Sequence, residues 1–208
     1  MLHTLVDKAF MINLDRREDR LKSAKERCDA IGLQFERVSA VDGNTLDMSK
    51  YPTAKTQYWN SGSVGMCLSL IRLITKVRDE KLKSFLLLED DVEFHSKIND
   101  FTKFLYKEVP PFEMLYFGIN NNKPPIKVSE NIYRVTYGYS LHCVIINESI
   151  YTPLIEALSE LNAPADVIIA EKIHSRNKSY CFKNNLAYQA KNFSDILNTE
   201  VDYTFLRR

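Results

Sequence analysis

Three adjacent carboxylates, Glu89, Asp90 and Asp91, close the stretch KSFLLLEDDVEF that runs from Lys83 to Phe94. Carboxylates packed together raise one another's pKa, so such a cluster is tolerable only when hydrated, paired or bound to a cation. Residues two apart on an extended chain point to the same side, which puts Glu89 and Asp91 on a common face. Hard oxygen donors of this kind suit Mg²⁺ or Mn²⁺, which keep several waters and bind substrate phosphates as well. The chemistry predicted here is a metal that bridges protein carboxylates and a diphosphate. A strand ending in a solvated acidic turn would carry the same letters, but the unbroken apolar run before Glu89 favours a site.

A second group of polar residues, Asn13, Asp15, Arg16 and Arg20, sits at the end of the first apolar run and the start of a helix. A helix N-terminus with arginines suits a nucleotide or a diphosphate. A solvated helix face with Asp15 as its cap is the other account, and it is the one we expect for Arg17. Asp42 and Gly43 are placed to contact a base or ribose, or simply to make a turn. The stretch GSVG from Gly62 to Gly65 would let backbone approach a phosphate or sugar, although it is neither a GxGxxG nor a P-loop pattern; a helix N-terminal turn, with Ser69 only packing, is the other account. Tyr58 and Trp59 are read either as an aromatic sugar-stacking lid or as a loop anchor. His142, in an apolar strand, is expected to be a satisfied core residue.

The elements that must position these groups follow from periodicity. AFMINL (Ala9 to Leu14) reads as a strand, and Asp15 with Glu18 forms a plausible capping box. Leu21, Ala24, Cys28 and Ile31 recur at helical spacing until Gly32, which suits a helix end. Phe35 to Val41 is a second strand closed by Asp42-Gly43. After a polar stretch, Leu68, Ile71, Ile74 and Val77 mark a helix leading into the strand Phe85 to Leu88. A helix is predicted over Ile98 to Tyr106, and strands around Met114–Phe117, Tyr133–Tyr137 and His142–Ile146. Helices over Ser149 to Leu161 and Pro164 to His174 follow, then a strand near Tyr180–Phe182. The tail from Phe193 to Leu206 has no clear period. Strands alternating with helices predict one α/β domain over residues 1–208 with a mainly parallel sheet flanked by helices. In open sheets of this kind ligands gather beyond the carboxyl ends of the strands, where the acidic cluster falls.

Composition narrows the partners. Lys and Arg total 28 against 27 acidic residues, a net charge of +1 that provides no field for a nucleic-acid backbone. No apolar run approaches membrane-spanning length, and the N-terminus lacks the pattern of a signal peptide. Four scattered cysteines, with no CxxC pair, suggest reduced thiols. A cytoplasmic location, peripheral to a membrane at most, is the expectation.

Several blocks, in order, resemble glycosyltransferase family 25, which includes lipooligosaccharide galactosyltransferases and the collagen galactosyltransferase domain. FLLLEDDVEF is similar to its acidic signature. FMINLDRREDRL and FERVSAVDG resemble its first two strands and their loops, and SVGMCLSL its glycine-led helix. MLYFG, YGYSLHCVIIN, PADVII and LAYQAKNFSDI look like its later blocks. The resemblance spans roughly Phe10 to Ile196. Two positions depart from the pattern: Leu70 stands where a His usually follows the serine, and Gly138-Tyr139 only loosely echoes a Gly-Thr pair.

The resemblance implies a GT-A fold and transfer of a sugar, galactose foremost, from a UDP-sugar donor to a hydroxyl of a glycan or glycoprotein acceptor, with inversion at the anomeric carbon. It implies Mn²⁺ or Mg²⁺ on Glu89 and above all Asp91, with Asp90 bracing the loop. Asp166, in PADVII, is the candidate general base. Asn13, Asp15, Arg16, Arg20, Asp42, Gly43, Gly65 and Ser69 belong to the implied donor-binding set. Gln189 and Ser194, from the closing block, belong to it too, while Asp195 would complete the metal shell or bind donor hydroxyls. Three other readings stay open: a nucleotide-sugar binder that has lost transfer, a metal-dependent phosphohydrolase, and a pure interaction module. Donor hydrolysis with Mn²⁺ separates the first from an enzyme. A second acidic cluster would mark the phosphohydrolase, and a lack of any metal-dependent response to UDP would mark the module.

Overall fold

The computed structural model describes residues 2–51, 59–176, 178–196 and 199–207. In chain order the strands are β1 (Lys8–Asn13), β2 (Glu36–Ser39), β3 (Ser84–Glu89), β4 (Val92–Phe94), β5 (Met114–Tyr116), β6 (Asn120–Asn121) and β7 (Ile126–Lys127). They continue with β8 (Ile132–Arg134), β9 (Gly138–Tyr139), β10 (Cys143–Asn147), β11 (Ser179–Phe182), β12 (Ala187–Gln189), β13 (Asn192–Ser194) and β14 (Thr199–Val201). The helices are α1 (Glu18–Ala30), α2 (Ser61–Asp79), α3 (Ile98–Leu105), α4 (Tyr151–Leu158) and α5 (Ala165–Lys172).

Eight strands form one sheet in the order β2-β1-β3-β10-β5-β11-β8-β7. Following the pairings, β10 and β8 run against the other strands, so the sheet is mixed but mostly unidirectional. β1 and β3 are buried along almost their whole length, as strands covered on both faces must be. Alternate residues feed two cores. Phe10, Ile12, Phe85, Leu87, Val144 and Ile146 pack with the buried faces of α2, α4 and α5. Ala9, Met11, Leu86, Leu88, Cys143 and Ile145 pack with Ala24 and Cys28 of α1 and Ile98 of α3. The result is the expected α/β architecture, helices on both faces of a sheet. All four cysteines are buried and unpaired. Among the described residues no helix is long and apolar enough to cross a membrane.

Two local expectations need correction. Asp15 does not cap α1: the helix begins at Glu18 with Arg17 as its flanking residue and no side-chain cap, because the Asp15 carboxylate pairs instead with Arg37 and accepts from the Ser39 hydroxyl at 2.8 Å. The helix does stop where Gly32 predicts, at φ 67°, with the Gly32 and Leu33 amides closing on Asp29 and Cys28 carbonyls. α2 starts about two turns earlier than the apolar period indicates, at Ser61, since Asn60 caps it by accepting from the Ser63 amide at 2.9 Å. Gly65 is tolerated inside this helix because a Cβ there would lie 2.5 Å from the Val41 carbonyl oxygen. The helix therefore touches the loop after β2 backbone to backbone. Trp59 packs into the core beside α2, which makes it a loop anchor; Tyr58 lies outside the described residues.

Candidate functional site

The chain steps from β1 outward to β2, then crosses back to place β3 on the other side of β1. Such a reversal of strand order opens a crevice at the carboxyl edge of the sheet. A cleft of about 1060 Å³ lies there. Its floor is made by the ends of β1 and β3. One flank is the loop Ala40–Asn44 with the start of α2, and the other is the start of α5 with Tyr139–Leu141. Of the residues singled out from sequence, the cleft gathers Asn13, Arg16, Arg20, Asp42, Gly43, Ser69, Glu89, Asp90, Asp91, Asp166, Gln189, Ser194 and Asp195. Asp15 and Gly65 are not in its lining. Asp15 points to solvent-facing partners on β2, and Gly65 faces the Val41 backbone.

The acidic turn divides its labour. Asp90 turns inward, where its Oδ2 accepts from Asn13 Nδ2 at 2.7 Å and its Oδ1 meets the Arg20 guanidinium. Asn13, almost fully buried, also donates to the Arg17 carbonyl and accepts from Arg37 Nε at 2.9 Å. Arg27 of α1 reaches under the turn to donate to the Asp90 carbonyl at 3.1 Å. Asp90 is thus a brace. Asp91 is different: one oxygen accepts from Gln189 Nε2 at 3.5 Å and lies 3.4 Å from Arg20, while its Oδ1 is buried with no hydrogen-bond partner. Burial raises its pKa, against the lowering pull of Arg20. Glu89 is pushed well above the usual carboxylate range by burial and by the neighbouring charges of Asp91, Asp166 and Asp90. β12 pairs antiparallel with β4, setting Gln189 opposite Val92, and the Ala190 amide donates to the Asp91 carbonyl at 2.8 Å. That pairing is how the closing block reaches the acids.

Asp166 occupies the first turn of α5. Its Oδ1 accepts from the Val167 amide at 2.9 Å and its Oδ2 from the Ser140 amide at 3.4 Å, and burial raises its pKa. Ser140 holds φ 92°, a left-handed conformation that costs a non-glycine residue energy. Its hydroxyl donates to Gln189 Oε1 at 3.3 Å. One strained residue thereby links the partner of Asp91 to Asp166.

The wall beside the acidic turn is built from arginines, Arg20 touching both Asp90 and Asp91. Arg16 pairs with Asp42 at 2.9 Å and with Asp195 Oδ1 at 2.6 Å. Arg17 reaches Asp195 Oδ2 at 2.5 Å and Asp19 at 2.9 Å, and Arg20 stands 3.6 Å from Asp195 Oδ2. Arg17 is therefore not a member of a solvated helix face. Ser69 is buried and doubly engaged, accepting from the Val41 amide at 2.8 Å and donating to the Gly65 carbonyl at 2.7 Å. Leu70 fills the core beside it. Gly43 allows the loop to touch α2, since a Cβ there would fall 2.3 Å from the Ser61 carbonyl oxygen. His142 is buried, and burial lowers its pKa to about 4 against the raising pull of the Ala187 backbone. It is the core residue expected, packed against the Ala187 backbone.

Tyr139, Ser140 and Tyr203 are cleft residues that sequence reasoning missed, and Arg17 is one it assigned to solvent. Nothing in YGYSLHC marks a positive φ at Ser140, because that conformation normally selects Gly or Asn. Tyr203 sits in the tail without period, and its neighbourhood to Asp166, Asp91 and Glu89 is purely tertiary.

Among the described residues no three His, Cys, Asp or Glu side chains are gathered as a metal cage. The donor set still fits a hard divalent cation that keeps most of its waters: Asp91 Oδ1 is an orphaned buried oxygen, and Glu89 stands among the like charges of Asp91, Asp166 and Asp90 with Arg20 as the opposing one. Six carboxylates but only two guanidiniums line the cleft, so its charge among the described residues favours a cation over an anion.

The profile of glycosyltransferase family 25 (LPS biosynthesis protein) matches residues 6–204. A glycosyltransferase 25 family member of Drosophila melanogaster is 26% identical over 153 residues, covering 64% of this chain and 25% of that protein. Procollagen galactosyltransferase 2 of Mus musculus is 26% identical over 166 residues, covering 65% of this chain and 26% of that protein. The chain thus spans about a quarter of the length of these curated relatives. Among solved structures, a glycosyltransferase involved in glycosylation of the major capsid of PBCV-1 aligns with a TM-score of 0.48 and 12% identity, covering 83% of this chain and 79% of that one.

Proposed function

The chain belongs to glycosyltransferase family 25, and from that premise we propose that it transfers a hexose, galactose foremost, from a UDP-sugar to an acceptor hydroxyl in a metal-dependent, inverting reaction on a GT-A type fold. The observation that carries this reading is the charge pattern of the cleft. An orphaned carboxylate oxygen on Asp91 and the guanidiniums of Arg16 and Arg20 line one crevice at the strand-order reversal, with Arg20 3.4 Å from Asp91. The name of the mouse relative supports galactose.

Glu89 and Asp91 would hold Mg²⁺ or Mn²⁺, which when bound offsets the charge growing on the departing diphosphate. Arg16 and Arg20 supply the fixed cations for the phosphate oxygens, and Asp42, with the loop it caps by accepting from the Asn44 amide at 3.0 Å, flanks the nucleoside. Asn13, Asp90 and Arg27 hold the acidic turn in register so that Asp91 faces the cleft. Ser194 lines the donor side.

Asp166 takes the proton from the acceptor hydroxyl. Its raised pKa makes it a stronger base than an ordinary carboxylate, while two backbone amides fix its direction. Because only the ionised form can accept a proton, the acid limb of the rate profile should lie above the pH expected for an exposed aspartate. The acceptor, a glycan or glycoprotein hydroxyl, approaches between α5 and Tyr139, in the cytoplasm or at the face of a membrane. Thermal shift with a panel of UDP-sugars, with and without MnCl₂, tests the reading. Stabilisation by UDP-galactose that requires metal is expected, and a melting temperature unmoved by every combination overturns it.

A further inference from the structure

Resting on the donor reading above, we propose that the segment Asn192–Ile196 is an autoinhibitory clasp in which Asp195 stands in for the donor's diphosphate and must be displaced before the donor can bind. Three independent features carry this. First, the carboxylate of Asp195 is the meeting point of Arg16, Arg17 and Arg20. Two oxygens received by several guanidiniums is the arrangement that recognises a phosphate group. Arg16 and Arg20 are the guanidiniums lining the cleft, and both are committed to carboxylates: Arg16 to Asp42 and Asp195, Arg20 to Asp90, Asp91 and Asp195. A diphosphate can gain them only by exchange.

Second, the segment bridges the two sides of the crevice. At one end the Phe193 carbonyl accepts from Arg20 at 3.5 Å on α1. At the other the Ile196 carbonyl accepts from Asn60 Nδ2 at 2.8 Å, and the Ile196 Cα lies 3.0 Å from where a Gly62 Cβ would be, at the start of α2. Third, the segment is held by charge and by the short β13–β14 ladder, not by apolar burial. Phe193 and Ile196, its two large apolar side chains, remain 40% and 37% exposed. Ionic contacts in a partly solvated cleft are exchangeable with another anion, whereas a buried apolar anchor would not be. Asp42, Asp90 and Asp91 follow β2 and β3 of the eight-stranded sheet, whereas Asp195 follows the small β13–β14 ladder of three residue pairs, so displacing Asp195 moves that ladder and not the sheet.

The clasp lowers apparent anion affinity by the fraction of molecules in which it is closed. Isothermal titration of inorganic pyrophosphate with MgCl₂, and separately of UDP with MnCl₂, onto wild type, Asp195→Asn and Arg17→Gln tests it. Asp195→Asn is expected to bind both probes about fivefold tighter. Arg17→Gln, which loosens the clasp from outside the cleft lining, should shift affinity the same way by less. The chain's single tryptophan, Trp59, neighbours the Asn60 anchor, so pyrophosphate should change wild-type emission and change that of Asp195→Asn less. Equal or weaker pyrophosphate binding by Asp195→Asn, or none by any variant, overturns the clasp; weaker Mn²⁺-dependent UDP binding would instead make Asp195 a metal or donor ligand. Tighter pyrophosphate binding with no UDP binding by any variant leaves the clasp standing and removes the donor reading. Should Asp195→Asn fail to fold, Arg17→Gln decides by the same criterion.

Discussion

The two walls of the cleft hold charge in opposite ways. Along the arginine wall every carboxylate meets a guanidinium: Asp42 and Asp195 with Arg16, Asp195 again with Arg17. Along the acid wall Glu89, Asp91 and Asp166 lie close enough to raise one another or be raised by burial, and Asp91 keeps an unpartnered oxygen. The first wall is neutralised by the chain itself. The second is left short of positive charge, which a folded protein tolerates at a stability cost when the deficit is part of its chemistry.

The strongest way to break this contrast is Asp91→Asn. Transfer from UDP-galactose should fall about 1000-fold, and the metal-dependent thermal shift with UDP should disappear. Full turnover by that variant would return the acid wall to a mere solvated turn. Asp166→Asn comes next, with kcat lowered about 100-fold while UDP binding by titration stays near wild type. Its acid limb should vanish from the pH–rate profile; a retained limb would place the base elsewhere.

Arg20 is the one side chain that touches both walls, since it pairs with Asp90 and Asp91 on one and approaches Asp195 on the other. Arg20→Gln should destabilise the fold by about 2 kcal/mol in urea titration, because it strips the acid wall of its internal cation. An unchanged midpoint would mean that the walls are independent. Glu89→Gln should do the reverse, on a smaller scale. A carboxyl raised in the folded state contributes stability below its unfolded pKa and loses it as pH rises through the folded value. The variant should therefore melt about 2 °C higher than wild type at pH 8 in metal-free buffer, with the gain fading toward pH 4. A gain that is equal at both pH values would separate it from Glu89 ionisation.

Much of the fold was legible because it is written in local periods. The apolar runs of β1 and β3, the spacing of Leu21 to Ile31, and Gly32 as a stop each depend on near neighbours along the chain. What failed depends on distant ones. Asp15 has the letters of a cap, but Arg37 on β2 competes for it across the sheet. The first turns of α2 lack an apolar period, and Gly65 within them has no evident purpose until the Val41 backbone arrives to require it.

The sequence by itself determined that three acids would stand at the carboxyl end of a buried strand, since an apolar run, a sheet and its exposed end are consequences of pattern. Only the tertiary structure decided what each acid does. Asn13 turned Asp90 inward, Asp91 was left with an open oxygen, and Asp195 went to the arginines. A carboxylate's role follows from the charges and donors that surround it in space, and those arrive from residues far away in the chain.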